Sequence, residues 1–304
     1  MRLAIVGAGA MGSLFASRLQ ADGNAVTLVD VRHELVNAIT ADGLTITEHD
    51  GGPHTVHPEA TTDVESLEEP DAVLLFVKSY DTRDALADLA GVLTDDVPVA
   101  TLQNGLPNYD AIGDVLGADR ALGGYSTFGA TLEAPGCVTL NGRGDNVLGG
   151  PDTHAAERLA TTCSAAGLPT EAVDEPRPHI WHKQFVNVAI KPAAVLSGLP
   201  DGPLWEVEAT QRVMRRLVEE AVEVARARDV EILGDPIETI REACLANYDK
   251  QSSMLVDIEA GRRTEIDAIT GAVVDYGEDA GVEVPSNRLA TDLVKAREYA
   301  AMQS

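Results

Sequence analysis

The chain has 304 residues, 44% of them hydrophobic, and carries 49 Asp and Glu against 23 Lys and Arg, for a formal net charge of −26. Such a length and apolar content build one large or two ordinary cores and exclude a disordered chain, while a polyanion repels nucleic acid and anionic membranes. No apolar run approaches the roughly 20 residues of a membrane span, and the one after Met1-Arg2 dies in a glycine turn before it reads as a secretion signal.

Three widely separated cysteines, Cys137, Cys163 and Cys244, fit neither a disulfide framework nor a zinc site, so a reduced, cytoplasmic protein is expected. The acid is spread through all the expected helices. That pattern suits a halophilic, salty cytoplasm, where screening shrinks self-repulsion.

In chain order, a short apolar strand over 3–6 runs into Gly7-Ala8-Gly9-Ala10-Met11-Gly12 and a helix over 11–22. The first glycine makes a tight turn, the second lets a pyrophosphate approach the backbone, and the third lets helix pack on strand. The helix start offers free amides and a positive dipole end to phosphate. A second strand over 26–29 ends in Asp30, whose carboxylate accepts from ribose hydroxyls. NAD, NADP and FAD share this fingerprint.

A buried strand over 71–77 leads to Lys78-Ser79-Tyr80-Asp81 and a helix to 93, and a strand over 97–102 ends in Gln103-Asn104-Gly105. This βαβ alternation predicts a parallel sheet, whose ligands lie beyond the strands' carboxyl ends, so Lys78 and Asn104 point to the cofactor crevice. Short Gly- and Thr-rich segments over 123–150, with a Pro135-Gly136 turn, read as an antiparallel extension of that sheet. A helix over 154–166 and a strand over 170–173 follow, and 174–178 reads as a linker.

Beyond it, helices are expected over 180–195, 204–228, 235–248, 252–259, 264–277 and 286–302, with starts signalled by Asp235-Pro236 and Pro285-Ser286. His49, His54 and His57 lie in a Gly- and Pro-rich loop at spacings that match no metal pattern, so no metal is expected.

Only five cations are lysine: Lys78, Lys183, Lys191, Lys250 and Lys295. Where lysine is so scarce, the survivors are enriched for chemistry that needs an ammonium able to give up its proton. Lys183, Asn187 and Lys191 lie four apart and share one helix face just after the linker.

The Gly turn, Val77-Lys78-Ser79, Leu102-Gln103-Asn104-Gly105, the stretch 181–187, Ser252-Ser253-Met254-Leu255-Val256-Asp257-Ile258 and Arg263-Thr264-Glu265-Ile266-Asp267 together resemble the ketopantoate reductase (2-dehydropantoate 2-reductase) family over essentially the whole chain. The resemblance implies a Rossmann-type α/β domain with a mainly parallel sheet over 1–174 and an all-α substrate domain over 175–304. It implies NAD(P)H-dependent reduction of ketopantoate to pantoate, in pantothenate and coenzyme A biosynthesis.

The resemblance also carries residue roles. It makes Lys183 and Glu265 catalytic, places Lys78, Asn104, Asn187 and Ser253 at the substrate, and gives the cofactor to Gly7, Ala8, Gly9, Ala10, Met11 and Gly12 with Lys78 and Asn104. Lys191 and Asp201 stand where the family has substrate-facing asparagines, either as a compensating pair or as the mark of a different acid. Where many members place an arginine for the 2'-phosphate, this chain reads Asp30-Val31-Arg32. Asp30 favours NADH, and Arg32 keeps NADPH open. Two alternatives stand beside this: a reductase of another small branched 2-oxo acid, and a non-catalytic NAD(P)-binding sensor. A homodimer is left open.

Overall fold

A computed structural model describes residues 1–48 and 51–303. Contacts divide the chain into two compact units: one holds Met1–Gln103 and Asn108–Pro176, the other Asn104–Pro107 and everything from Arg177 onward.

The first unit contains β1 (Arg2–Val6), α1 (Ala10–Ala21), β2 (Ala25–Val29), α2 (His33–Asp42), β3 (Leu44–Glu48), β4 (His54–Val56), β5 (Glu59–Thr61), β6 (Ala72–Leu75), α3 (Thr82–Ala90), β7 (Val99–Thr101), α4 (Pro107–Leu116), β8 (Ala121–Ser126), β9 (Gly129–Ala134), β10 (Cys137–Gly142), β11 (Asn146–Gly149), α5 (Thr153–Ala165) and β12 (Thr170–Val173). Eight strands make one sheet in the order β12-β11-β8-β7-β6-β1-β2-β5. Every neighbouring pair from β8 to β5 is parallel, and only β11 runs antiparallel to β8. The strands β6 and β7 are buried along their whole length, as sheets covered on both faces require.

Register fixes where the loops emerge. Val6 pairs with Val29 on one side and Leu75 on the other, and Leu75 pairs with Thr101. Gly7, Asp30, Phe76 and Leu102 therefore leave the same carboxyl edge.

The expected antiparallel extension over 123–150 holds only in half. The strands β8 and β11 do extend the main sheet, and the absence of a side chain at Gly124, where a Cβ would meet the Val147 carbonyl at 1.8 Å, lets them close. The hairpin of β9 and β10 instead turns at Gly136 (φ +75°) and joins β3 and β4 in a separate sheet ordered β4-β3-β10-β9. Its edge exists because β10 pairs in parallel with β3, a strand whose Leu-Thr-Ile-Thr alternation is short.

His54 lies on β4 and His57 just beyond it, whereas His49 lies outside the described residues. Among the described residues no group of three or more His, Cys, Asp or Glu is disposed to hold a metal, and no helix is long and apolar enough to cross a membrane.

The second unit is helical: α6 (Arg177–Ser197), α7 (Asp201–Glu206), α8 (Glu208–Ala227), α9 (Pro236–Ala246), α10 (Ser253–Glu259), α11 (Thr270–Ala280) and α12 (Pro285–Met302). The helix α6 starts at Arg177 and carries Pro178 in its first turn, so it takes up the last two residues of the segment read as linker. Trp181, Phe185, Val188 and Ala189 of α6 meet Met214, Leu217, Val218 and Ala221 of α8 in one apolar core.

The single helix expected over 204–228 is two. Val207 is extended (φ −80°, ψ 115°), and the Thr210 hydroxyl donates to the carbonyls of Leu204 and Val207, which satisfies the broken turn. The helix expected over 264–277 likewise begins as one tight turn, Ile266–Ala268, interrupted at Ile269 before α11.

Candidate active site

At the carboxyl edge of the first unit, the glycine turn is built by close approach. Gly7 sits at φ +103°, where a Cβ would meet the backbone of Phe76 and Val77 at 2.7 Å, and a Cβ on Gly12 would lie 1.9 Å from the Gly7 carbonyl oxygen. Gly9 is different: a Cβ there meets nothing within 4 Å. The start of α1 has no acidic residue in its first turn and no side-chain cap at Gly9, which leaves its amides and dipole for an anion. The turn therefore fits a dinucleotide pyrophosphate over Gly9.

Asp30 is buried and saturated. Its Oδ2 accepts from the Ala8 N–H and from Arg32 at 2.7 Å each, and its Oδ1 accepts from the Arg32 N–H at 3.0 Å and from Arg32 Nε at 2.8 Å. Burial alone would raise the carboxyl, but the hydrogen bonds from Arg32 and Ala8 outweigh it and hold Asp30 below the usual carboxylate range. Both residues singled out for cofactor choice are thus one bidentate pair, with Arg32 half-exposed.

Lys78 precedes the tight turn Ser79–Asp81 that follows β6. Gln103 holds that turn: its side chain donates to the Val77 carbonyl and to Thr82 Oγ1 at 3.1 Å, and accepts from Thr101 Oγ1 at 2.8 Å. Sequence reading named Gln103 only as a neighbour of Asn104. Its role as a clamp comes from Val77 and Thr82, which lie more than 20 residues away in sequence.

In the second unit, Asn187 of α6 is buried and donates to Asn104 Oδ1 at 3.2 Å. The Ala268 carbonyl accepts from the Leu106 N–H at 3.1 Å and from the Gln184 side chain at 3.4 Å. Leu106, Gln184 of α6 and the turn that follows Glu265 are tied through that one oxygen. Glu265 is partly buried and opens the Ile266–Ala268 turn.

The stripe on α6 is not a solvated face: Lys183 is partly buried, and Asn187 and Lys191 are buried. Desolvation, with the charges of Lys191 and Lys250 adding to it and Asp201 opposing, lowers Lys183 to about 8. Asp201, at the start of α7, is pushed up to about 6 by burial against the pull of Lys250 and Lys183. The charges of Lys250 and Lys183 act on Asp201, and the N–H of Asp201 donates to the Lys250 carbonyl at 3.0 Å. Ser253 is exposed, and it is the adjacent Ser252 whose Oγ is buried without a hydrogen-bond partner in the protein.

A Rossmann-type unit with an open glycine turn, joined to a helical unit bearing a desolvated lysine, defines a dinucleotide-dependent oxidoreductase. The models of the ketopantoate reductase PanE/ApbA family match residues 3–152 and, for its C-terminal domain, 176–298, and the chain belongs to that family.

It is 34% identical to a 2-dehydropantoate 2-reductase of Halobacterium salinarum over 97% of this chain and 98% of that one, and 33% identical to one of Pyrococcus horikoshii over 98% of each. Among solved structures it is similar to a PanE/ApbA family ketopantoate reductase from Ralstonia eutropha (TM-score 0.92, 33% identity, 99% of each chain). It is also similar to D-mandelate dehydrogenase with NADH and anilino(oxo)acetate (TM-score 0.92, 29% identity, 99% of each chain).

Proposed function

We propose that this chain reduces 2-dehydropantoate to pantoate with NAD(P)H, in the cytoplasm and within pantothenate and coenzyme A synthesis, and that residues 1–174 bind the dinucleotide while 175–304 bind and protonate the substrate. The observation that carries the reading is the lysine on α6, lowered to about 8 and flanked by the Asn187–Asn104 hydrogen bond.

When bound, the nicotinamide supplies a hydride to the keto carbon. Negative charge then grows on the keto oxygen, and protonated Lys183 stabilises it and donates its Nζ proton, so the carbonyl becomes a hydroxyl. A value near 8 keeps most of the ammonium protonated at neutral pH while making it a readier donor than an ordinary lysine. Glu265 orients that ammonium. Asn104, Asn187 and Ser253 offer neutral donors and acceptors to the substrate's carboxylate and hydroxyl, and Lys78 completes the set.

For the cofactor, NADH is favoured over NADPH. Asp30 already satisfies the Arg32 guanidinium, so a 2'-phosphate would have to draw Arg32 away from a buried carboxylate that repels it. Ribose hydroxyls need only replace one of the Arg32 contacts.

A second reading, a reductase of another branched 2-oxo acid, draws on Lys191 and Asp201 in place of asparagines and on the likeness to a D-mandelate dehydrogenase. Cofactor oxidation with ketopantoate and related 2-oxo acids, each with NADH and NADPH, tests both. Ketopantoate turned over best with NADH supports the first reading, another acid preferred supports the second, and no turnover of any acid leaves a nucleotide-binding sensor.

A further inference from the structure

Lys295 is one of the chain's five lysines, and the proposed reaction leaves it unused. It lies on α12, where Thr291, Lys295 and Glu298, four and three residues apart, share one face. That face meets the segment carrying Glu265 in antiparallel order. The hydroxyls of Thr270 and Thr291, both buried, are hydrogen-bonded at 2.7 Å, Lys295 Nζ lies 2.5 Å from Asp267 Oδ1, and Glu298 Oε2 accepts from the Thr264 N–H at 2.6 Å. Ala290 and Val294, beside that face, enter the helical core and fix α12 itself.

The segment has little of its own to set its shape. Between Glu265 and Ile269 it makes one tight turn, closed by the Ala268 N–H on the Glu265 carbonyl at 3.0 Å and the Ile269 N–H on the Ile266 carbonyl at 3.1 Å. A single turn is marginal by itself, so partners outside it decide where it lies. The Gln184 side chain and the Leu106 N–H hold it at the Ala268 carbonyl. The helix α12 holds it at Thr264 and Asp267, one residue before Glu265 and two after. A backbone N–H donated to a carboxylate is charge-assisted and directional, so Glu298 is the stronger of these two holds. Lys295 and Asp267 are half-exposed, and Arg263 also approaches Asp267 at 3.8 Å, so that ion pair adds little stability and acts chiefly on placement.

We propose that Glu298, aided by Lys295, is a positioning residue for the reaction: by fixing the backbone on both sides of Glu265 it keeps that carboxylate where it orients the Lys183 ammonium. This rests on the reading of Glu265 as the residue that orients Lys183.

The test measures kcat and KM for ketopantoate and NADH, with melting temperatures alongside, in wild type, Glu298→Ala, Glu298→Gln, Glu265→Ala and the variant carrying both alanines. Glu298→Ala should lower kcat by about tenfold at an unchanged KM for NADH. Glu298→Gln, whose amide oxygen still accepts from Thr264, should restore most of the loss, and on top of Glu265→Ala the removal of Glu298 should have no further effect on kcat. Lys295→Gln should act in the same direction by about twofold. Wild-type kcat in Glu298→Ala overturns the proposal alone, and so does a loss that repeats in full in the Glu265→Ala background, the mark of a merely structural role. Should Glu298→Ala fail to fold, Glu298→Asp keeps the charge and withdraws it by one methylene; a lowered kcat there supports the proposal and a wild-type kcat overturns it. Turnover unaffected by Glu265→Ala overturns the assignment of Glu265 and the proposal with it.

Discussion

At the carboxyl edge of the sheet, the charges are paired to stay charged. Asp30 is locked to Arg32, and on the neighbouring small sheet Glu48 lies between Arg18 and Arg143, so that both carboxyls sit below their usual range despite burial. In the helical unit, Lys183 and Asp201 are pushed the other way, each toward its neutral form. The first region binds with backbone and fixed dipoles and keeps one charge state across neutral pH. The second keeps groups poised to exchange a proton, and only there does burial serve chemistry more than architecture.

The sharpest break of this contrast is Lys183→Ala. With the proposed proton donor gone, turnover should fall by on the order of a hundredfold or more while NADH affinity, read by fluorescence titration, stays unchanged. Near-normal turnover would remove Lys183 from its role.

Within the glycine turn, Gly9→Ala should leave the melting temperature alone, since its Cβ has open space, yet weaken NADH binding by about tenfold. Gly12→Ala, aimed at the Gly7 carbonyl, should lower both. Tight NADH binding by Gly9→Ala would mean that the cofactor does not pass over that residue.

Asp30→Ala releases Arg32 and removes a repulsion, so the ratio of kcat/KM for NADPH to NADH should rise by about tenfold. A wild type that already prefers NADPH would shift the assignment to Arg32.

A smaller effect concerns pH. In the proposed role Lys183 acts in its protonated form, so kcat should decline as pH rises through about 8. Asp201 favours the charged lysine, and Asp201→Asn should therefore move that limb to lower pH; a shift upward would contradict the electrostatics described here.

Least in size, molar KCl should raise the melting temperature by about a few degrees by screening the acidic surface. A flat response would make the acidity ordinary composition.

The strand, glycine turn and Asp30 were legible because their chemistry is local: three glycines and one acid within 30 residues. The stripe of Lys183, Asn187 and Lys191 was legible for the same reason, since helical period alone aligns it. What was not legible depends on segments meeting. Lys250 gains its place through backbone hydrogen bonds from α7, Gln184 through the Ala268 carbonyl, and Gln103 through Val77 and Thr82. The helices α2 and α4 and the small sheet went unread because they are short and weakly patterned, and their stability comes from packing rather than propensity. The break at Val207 escaped because the residue itself favours neither outcome, and the hydroxyl of Thr210 decides it.

The four residues Asn104–Pro107 belong by packing to the helical unit although the chain on either side belongs to the sheet. Leu106, 4% exposed, is a member of the helical core. The two units are therefore not modules that a gene could trade at a single joint. A fragment starting at Arg177 would inherit an apolar seat without its occupant, a deficit of about 2–5 kcal/mol by analogy with core Leu-to-Ala changes, and a fragment ending at Pro176 would carry a leucine with nowhere to go. Separate expression of the halves should yield insoluble products, and recombination between relatives should succeed only where the donor supplies both the helices and this short insert.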